Sequence, residues 1–97
     1  MPTYISLGNW TEQGIRNVKD AGKRIDAARQ MMKDAGGELK AFYMTMGTYD
    51  LVTIVEAPSD EVVGKILLTI GGLGNIRTTT LRAFSEAETR KILASLG

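Results

Sequence analysis

An α+β fold is the expectation for this chain: a four-stranded antiparallel sheet with two helices on one face, in the order β-α-β-β-α-β, and one added C-terminal helix. Three observations carry it. Short runs rich in β-branched and aromatic residues alternate with longer stretches whose apolar residues recur at helical spacing. Glycine, proline and N-cap residues fall at the joints between them. The length, 97 residues with 43% apolar and 24% charged side chains, is that of one small domain, so 1–97 is expected to be a single unit.

The elements follow in order. Residues 3–8 (TYISLG) read as the first strand. Thr11 then caps a helix whose stripe is Ile15, Val18, Ile25, Ala28, Met32 and Ala35; the Asp20-Ala21-Gly22 stretch allows a kink or a break into two, and Gly36-Gly37 stops it. Residues 38–46 and 50–57 are expected as two strands joined by Gly47-Thr48-Tyr49. Ser59 caps the next helix, with Asp60 and Glu61 complementing its dipole and Val62, Val63, Ile66, Leu67 and Ile70 on its buried side. Gly71, Gly72 and Gly74 end it. These glycines leave a helix and enter a strand, the reverse of a phosphate loop, and no Lys-Ser/Thr follows them. A fourth strand covers about 75–83, and Ser85-Glu86-Ala87-Glu88 forms a capping box for a last helix with Ala87, Ile92, Leu93 and Leu96 on its apolar side.

Strand alternation assigns two sets of side chains. Ile5, Leu7, Phe42, Met44, Val52, Ile54 and Ile76, or the Thr78/Thr80 set, are expected under the helices. Tyr4, Ser6, Tyr43, Thr45, Leu51, Thr53, Val55, Arg77, Thr79 and Leu81 would then line the other face. That face is too apolar to stay wet, and a second copy covering it needs only one self-complementary surface. A dimeric α/β barrel is therefore expected, two sheets face to face.

Composition narrows the chemistry. With no Cys and no His, the chain offers no disulfide, thiolate nucleophile, imidazole base or zinc site of the usual ligands, and no metal or cofactor is expected. Twelve Lys and Arg against eleven Asp and Glu give +1, so bulk charge recommends neither nucleic acid nor an anionic membrane. The basic residues of the first helix are largely met by i,i+4 partners such as Glu12–Arg16 and Asp20–Arg24. The first ten residues lack the basic start and apolar run of a secretory signal, and no apolar stretch approaches the ~20 residues of a membrane span. A cytoplasmic location is expected.

GTYD (47–50), together with NWTEQGIRNVKD (9–20) and GNIRTTTLRAFSEAE (74–88), closely resembles the GYD domain family over nearly the whole chain. Similar sequences often carry Ser-Pro where this one has Ala21-Gly22, which bears on the path of the first helix. The resemblance implies a ferredoxin-like fold of the dimeric α/β barrel type and little about activity. Residues 47–56 and 73–80 are more distantly similar to the effector-binding half of leucine-responsive (feast/famine) regulators, whose DNA-binding half has no counterpart here. This implies a stand-alone ligand-binding or assembly module.

Candidate site residues follow. Asp50, beside Tyr49 and Gly47, either binds the amine or hydroxyl of a ligand or satisfies free amides at its own hairpin. Asn9 and Trp10, with Arg77 and Arg82, are residue types that cofactor-independent oxygenases of this architecture use to hold an anionic aromatic substrate; Trp10 otherwise serves as a staple before a helix. Thr78, Thr79 and Thr80, with Tyr4, Ser6, Tyr43, Thr45 and Thr53, offer hydroxyls to a shared cavity, or cross-strand hydrogen bonds to each other. The reading is a homo-oligomeric small-molecule-binding or assembly module, its partners itself and a small organic ligand; a cofactor-independent oxygenase or isomerase in the same cavity is the alternative.

Overall fold

A computed structural model describes residues 1–97. Its elements are β1 (Thr3–Trp10), α1 (Glu12–Arg16), a 3-10 turn (Val18–Asp20), α2 (Ala21–Asp34), β2 (Glu38–Met44), β3 (Leu51–Glu56), α3 (Asp60–Gly72), β4 (Ile76–Ala83) and α4 (Glu86–Ala94). The strands form one antiparallel sheet in the order β2-β3-β1-β4, the ferredoxin-like arrangement the sequence predicts. No helix is long and apolar enough to cross a membrane.

The first helical stretch breaks, a few residues earlier than the Ala21-Gly22 position suggests. α1 starts on Thr11, whose hydroxyl accepts from the Gly14 amide, and ends at Asn17. Gly14 sets its placement: a Cβ there would lie 1.9 Å from the Asn75 carbonyl oxygen, so the helix can press on the loop before β4 only with glycine at that point. Because the axis changes direction after Arg16, Ile15 and Val18 leave the expected stripe and are exposed, while Ile25, Ala28, Met31 and Met32 of α2 turn inward.

The core lies between the sheet and the α2/α3 pair: Tyr4, Met32, Leu39, Val55, Ala57, Val63 and Ile66. This corrects the face assignment of β1 and β3. Tyr4, Ser6, Leu51, Thr53 and Val55 lie under the helices, and Ile5, Leu7, Val52 and Ile54 lie on the other face. Two contacts lock that parity. The Tyr4 hydroxyl donates to the Asp60 carboxylate at the start of α3. At Gly8, further along the same strand, the missing side chain leaves room for Leu51 and Ile76, which approach to within 3 Å of where a Cβ would stand. In β2 a bulge between Leu39 and Ala41 shifts the register, so Leu39 and Phe42 both face the helices despite odd spacing.

The hairpin differs too. β2 stops at Met44 and β3 begins at Leu51, so six residues rather than three make the connection, and Thr45 belongs to the loop. α4 carries the expected capping box, with Ser85 and Glu88 each bonded to the other's backbone amide, but Ile92, Leu93 and Leu96 stay exposed. It projects from the body. A radius of gyration of 14.6 Å reflects this arm, against about 13 Å for a compact chain of 100 residues.

Candidate functional site

The uncovered face of the sheet is built from rows that run across the strands. Leu81, Ile5, Ile54 and Ala41 form one row, in register through all four strands. Thr79, Leu7, Val52 and Tyr43 form the next. These two rows are mostly apolar, and no helix lies over them; Leu81 is 48% exposed and Tyr43 60%. One end of the face is bounded by Arg77 opposite Asn9, the other by Glu56 opposite both Thr3 and Glu38. The face thus has an apolar centre, one end that carries Arg77 and, across Asn9, the Asp50 carboxylate, and an acidic end. Two carboxylates directly opposite on neighbouring strands repel each other, and within the chain only Lys40 answers them, with its Nζ 3.4 Å from Glu38.

At the Arg77 end, Asn9, Trp10, Thr45, Tyr49 and Asp50, all singled out in the sequence, join in a clasp. The Asp50 carboxylate accepts from the Trp10 amide at 3.0 Å, and the Asp50 amide donates to the Gly8 carbonyl (2.8 Å) and to Asn9 Oδ1 (3.2 Å). Thr45 donates through its amide to the Asp50 carbonyl (2.8 Å) and through its hydroxyl to the Tyr49 carbonyl (2.6 Å). Gly47, at φ +118°, supplies the turn. This clasp ties the hairpin loop to the end of β1 and uses one oxygen each of Asp50 and Asn9. The amide Asp50 satisfies belongs to β1 rather than to its own hairpin.

The remaining site residues do not converge. Tyr43, Thr79 and Arg77 share the open face, as expected, whereas Tyr4 and Trp10 lie on the helix side. Trp10 and Arg77 are therefore on opposite sides of the sheet, and Asn9 is occupied in the clasp. Tyr4 is buried, with the Arg82 guanidinium 5.6 Å from its ring centroid and 4.8 Å from that of Phe84. Burial first, and then the bond to Asp60, holds its phenol above the ordinary tyrosine value of 10.0.

Sequence reasoning missed Glu38 and Glu56 as the acidic border, and Ile5, Leu7 and Ile54 as its neighbours. A signal was present. Glu56 shares parity with Val52 and Ile54, and Ala57, wholly buried, shares it with Val55; a carboxylate in the series marks the side away from the core.

Comparison with known proteins agrees with this architecture. The GYD domain family model matches residues 4–93. A Thermus thermophilus protein named glutamine synthetase and cystathionine beta-lyase binding protein is 33% identical over 89 residues, 91% of this chain and 94% of its own length. The crystal structure of TTHA0845, also from Thermus thermophilus, superposes with a TM-score of 0.56 at 25% identity, covering 88% of this chain and 95% of that one. The feast/famine regulatory protein FFRP-DM1 superposes with a TM-score of 0.60 at 22% identity, covering 87% of this chain and all of that one, a likeness of fold alone.

Proposed function

We propose that this chain, which belongs to the GYD domain family, is a self-associating binding module: two copies join through the open sheet face, and the pair binds another protein. The observation that carries the first half is the pair of apolar rows spanning all four strands with no helix over them. A two-fold axis lying between the sheets and across the strands reverses one copy relative to the other. It sets apolar rows against apolar rows and the Arg77 end of each copy over the Glu38/Glu56 end of its mate. The face is then complementary to itself in shape class and charge, which is what a closed dimer requires.

The second half draws on the relative whose name gives glutamine synthetase and cystathionine β-lyase as its partners. A pair built on the sheets turns its helices outward, including the exposed face of α2, where Lys23, Arg29 and Lys33 stand among Asp26 and Asp34. An enzyme of amino-acid metabolism is the class of partner that the relative's name suggests. The module works in the cytoplasm, where such enzymes are found. Within the pair, Tyr43, Thr79 and Arg77 serve the contact, and Asp50, Asn9 and Thr45 hold its border.

Sedimentation velocity tests the first half and biolayer interferometry the second. The pair is expected at micromolar concentration, with saturable binding to the host's own glutamine synthetase or cystathionine β-lyase. A single chain at 100 µM would refute the pairing. Absence of binding to both enzymes at 10 µM, with the dimer intact, would refute the partner assignment alone.

A further inference from the structure

The helix side of the sheet holds a second feature, which the pairing does not use. α2 and α3 meet each other over only a short length, and between them and the sheet lies a cavity of about 190 Å³. Seventeen of its 23 lining residues are hydrophobic; Ala28 and Met31 of α2 and Ile66 and Ile70 of α3 form its walls, and Trp10 closes one end. Protein interiors rarely leave voids larger than a water molecule. This one, open to solvent along a rim that includes Leu73 and Thr78, equals about six times water's ~30 Å³ share of liquid volume, yet most of its walls give water few partners.

The floor supplies the polar part. Thr80, Ser6 and Thr53 stand side by side across three strands, and Thr78 follows in the next row. Ser6 and Thr80 bond to each other at 2.9 Å. The hydroxyls of Thr53, which is half-buried, and of Thr78, which is exposed at the rim, bond to no other group of the chain, so both are open to a ligand or to water. Charge is nearly absent: Arg24 is the one ionisable lining residue, and its guanidinium is turned to the carbonyls of Asn17 (3.1 Å) and Gly14 (3.5 Å).

We propose that this cavity is a binding site for a neutral, mainly apolar small molecule, about one six-membered ring in size, carrying a single hydroxyl or carbonyl that Thr53 and Thr78 meet. The volume selects the size: an apolar cavity of about 150 Å³ accommodates benzene. The hydroxyls of Thr53 and Thr78 supply partners for the polar group, and a lining whose one charge, Arg24, is already turned to two backbone carbonyls offers nothing to an amine. This site and the sheet-to-sheet contact lie on opposite faces, so either can exist without the other.

Methionine ¹³C-methyl NMR tests it on the intact chain, with benzyl alcohol as the probe and toluene as its counterpart lacking the hydroxyl. Met31 and Met32 line the cavity; Met44 and Met46 lie outside it and are 69% and 94% exposed. Benzyl alcohol should shift the Met31 and Met32 methyls saturably in the low millimolar range or below, leaving Met44 and Met46 in place. The double variant Thr53→Val/Thr78→Val should weaken benzyl alcohol about three- to tenfold, the effect of a lost hydrogen bond, and change toluene less than twofold. Ala28→Phe, which fills the space, should abolish both. Unmoved Met31 and Met32 methyls at 20 mM probe would overturn the proposal, as would equal shifts at all four. So would Met31 and Met32 methyls that respond to protein dilution and not to probe, because the space would then be filled by a second copy.

Discussion

Replacing Leu81 by Lys should separate the proposed pair while leaving each chain folded. Leu81 sits in the central row opposite Ile5 and is 48% exposed in the single chain, so about half of its side chain remains to be buried by a partner. Full burial of a leucine is worth about 1.5–3 kcal/mol, so the remaining half is worth about 0.7–1.5 per copy and about 1.5–3 for the two copies of a symmetric pair. That corresponds to a roughly ten- to 150-fold rise in Kd before any charge effect. Lysine adds to this, since each ammonium must either lose water or force the sheets apart. The folded monomer is affected little: the side chain faces outward and the backbone ladder to β1 is unchanged. Sedimentation velocity from 1 to 100 µM measures the shift, with Leu68→Lys as the control; Leu68 is 79% exposed on the helix side and should leave Kd unaltered. A Leu81→Lys protein that pairs within twofold of the native Kd would refute the reasoning.

Other perturbations test other joints of the structure. Arg77→Glu or Glu56→Arg alone should weaken the pair and the two together should restore it, with an ionic-strength dependence that sedimentation in 50 and 500 mM salt reads directly. Gly14→Ala should cost more than about 2 kcal/mol in urea unfolding, since its methyl would meet the Asn75 carbonyl oxygen at 1.9 Å. Asp50→Ala leaves the Trp10 amide unpaired and should cost about 1–3 kcal/mol, whereas Asp50→Asn, which keeps an acceptor oxygen, should cost less; urea melts of both compare them. Tyr4 holds its proton more tightly folded than unfolded, so its contribution is complete below pH 10.0 and is lost as pH rises through the raised folded value. Alkaline unfolding should therefore be shallower in Tyr4→Phe.

The element order was legible because each joint carries its own local chemistry: Thr11, Ser59 and Ser85 all cap the helices they precede. Face assignment was not, because it depends on choices made far along the chain. Tyr4 points inward on account of Asp60, 56 residues later, and both Leu39 and Phe42 do so through a bulge that no periodicity announces. Asp50 was visible as a turn residue, but the amide it serves, that of Trp10, is brought to it by strand pairing. The hydroxyls of Thr53 and Thr78 were visible in the sequence, but that both lie on the helix side of the sheet follows only from the strand pairing.

The sheet-to-sheet contact is tested most directly by relaxation of side-chain methyls with a soluble gadolinium chelate, at a concentration where sedimentation gives the mass of two chains. The methyls of Leu81, Ile5 and Ile54 should be as protected as those of buried Ile66, while Leu68 relaxes strongly. If Leu81 relaxes as fast as Leu68 in a sample of that mass, the copies meet elsewhere and the open face is not the contact.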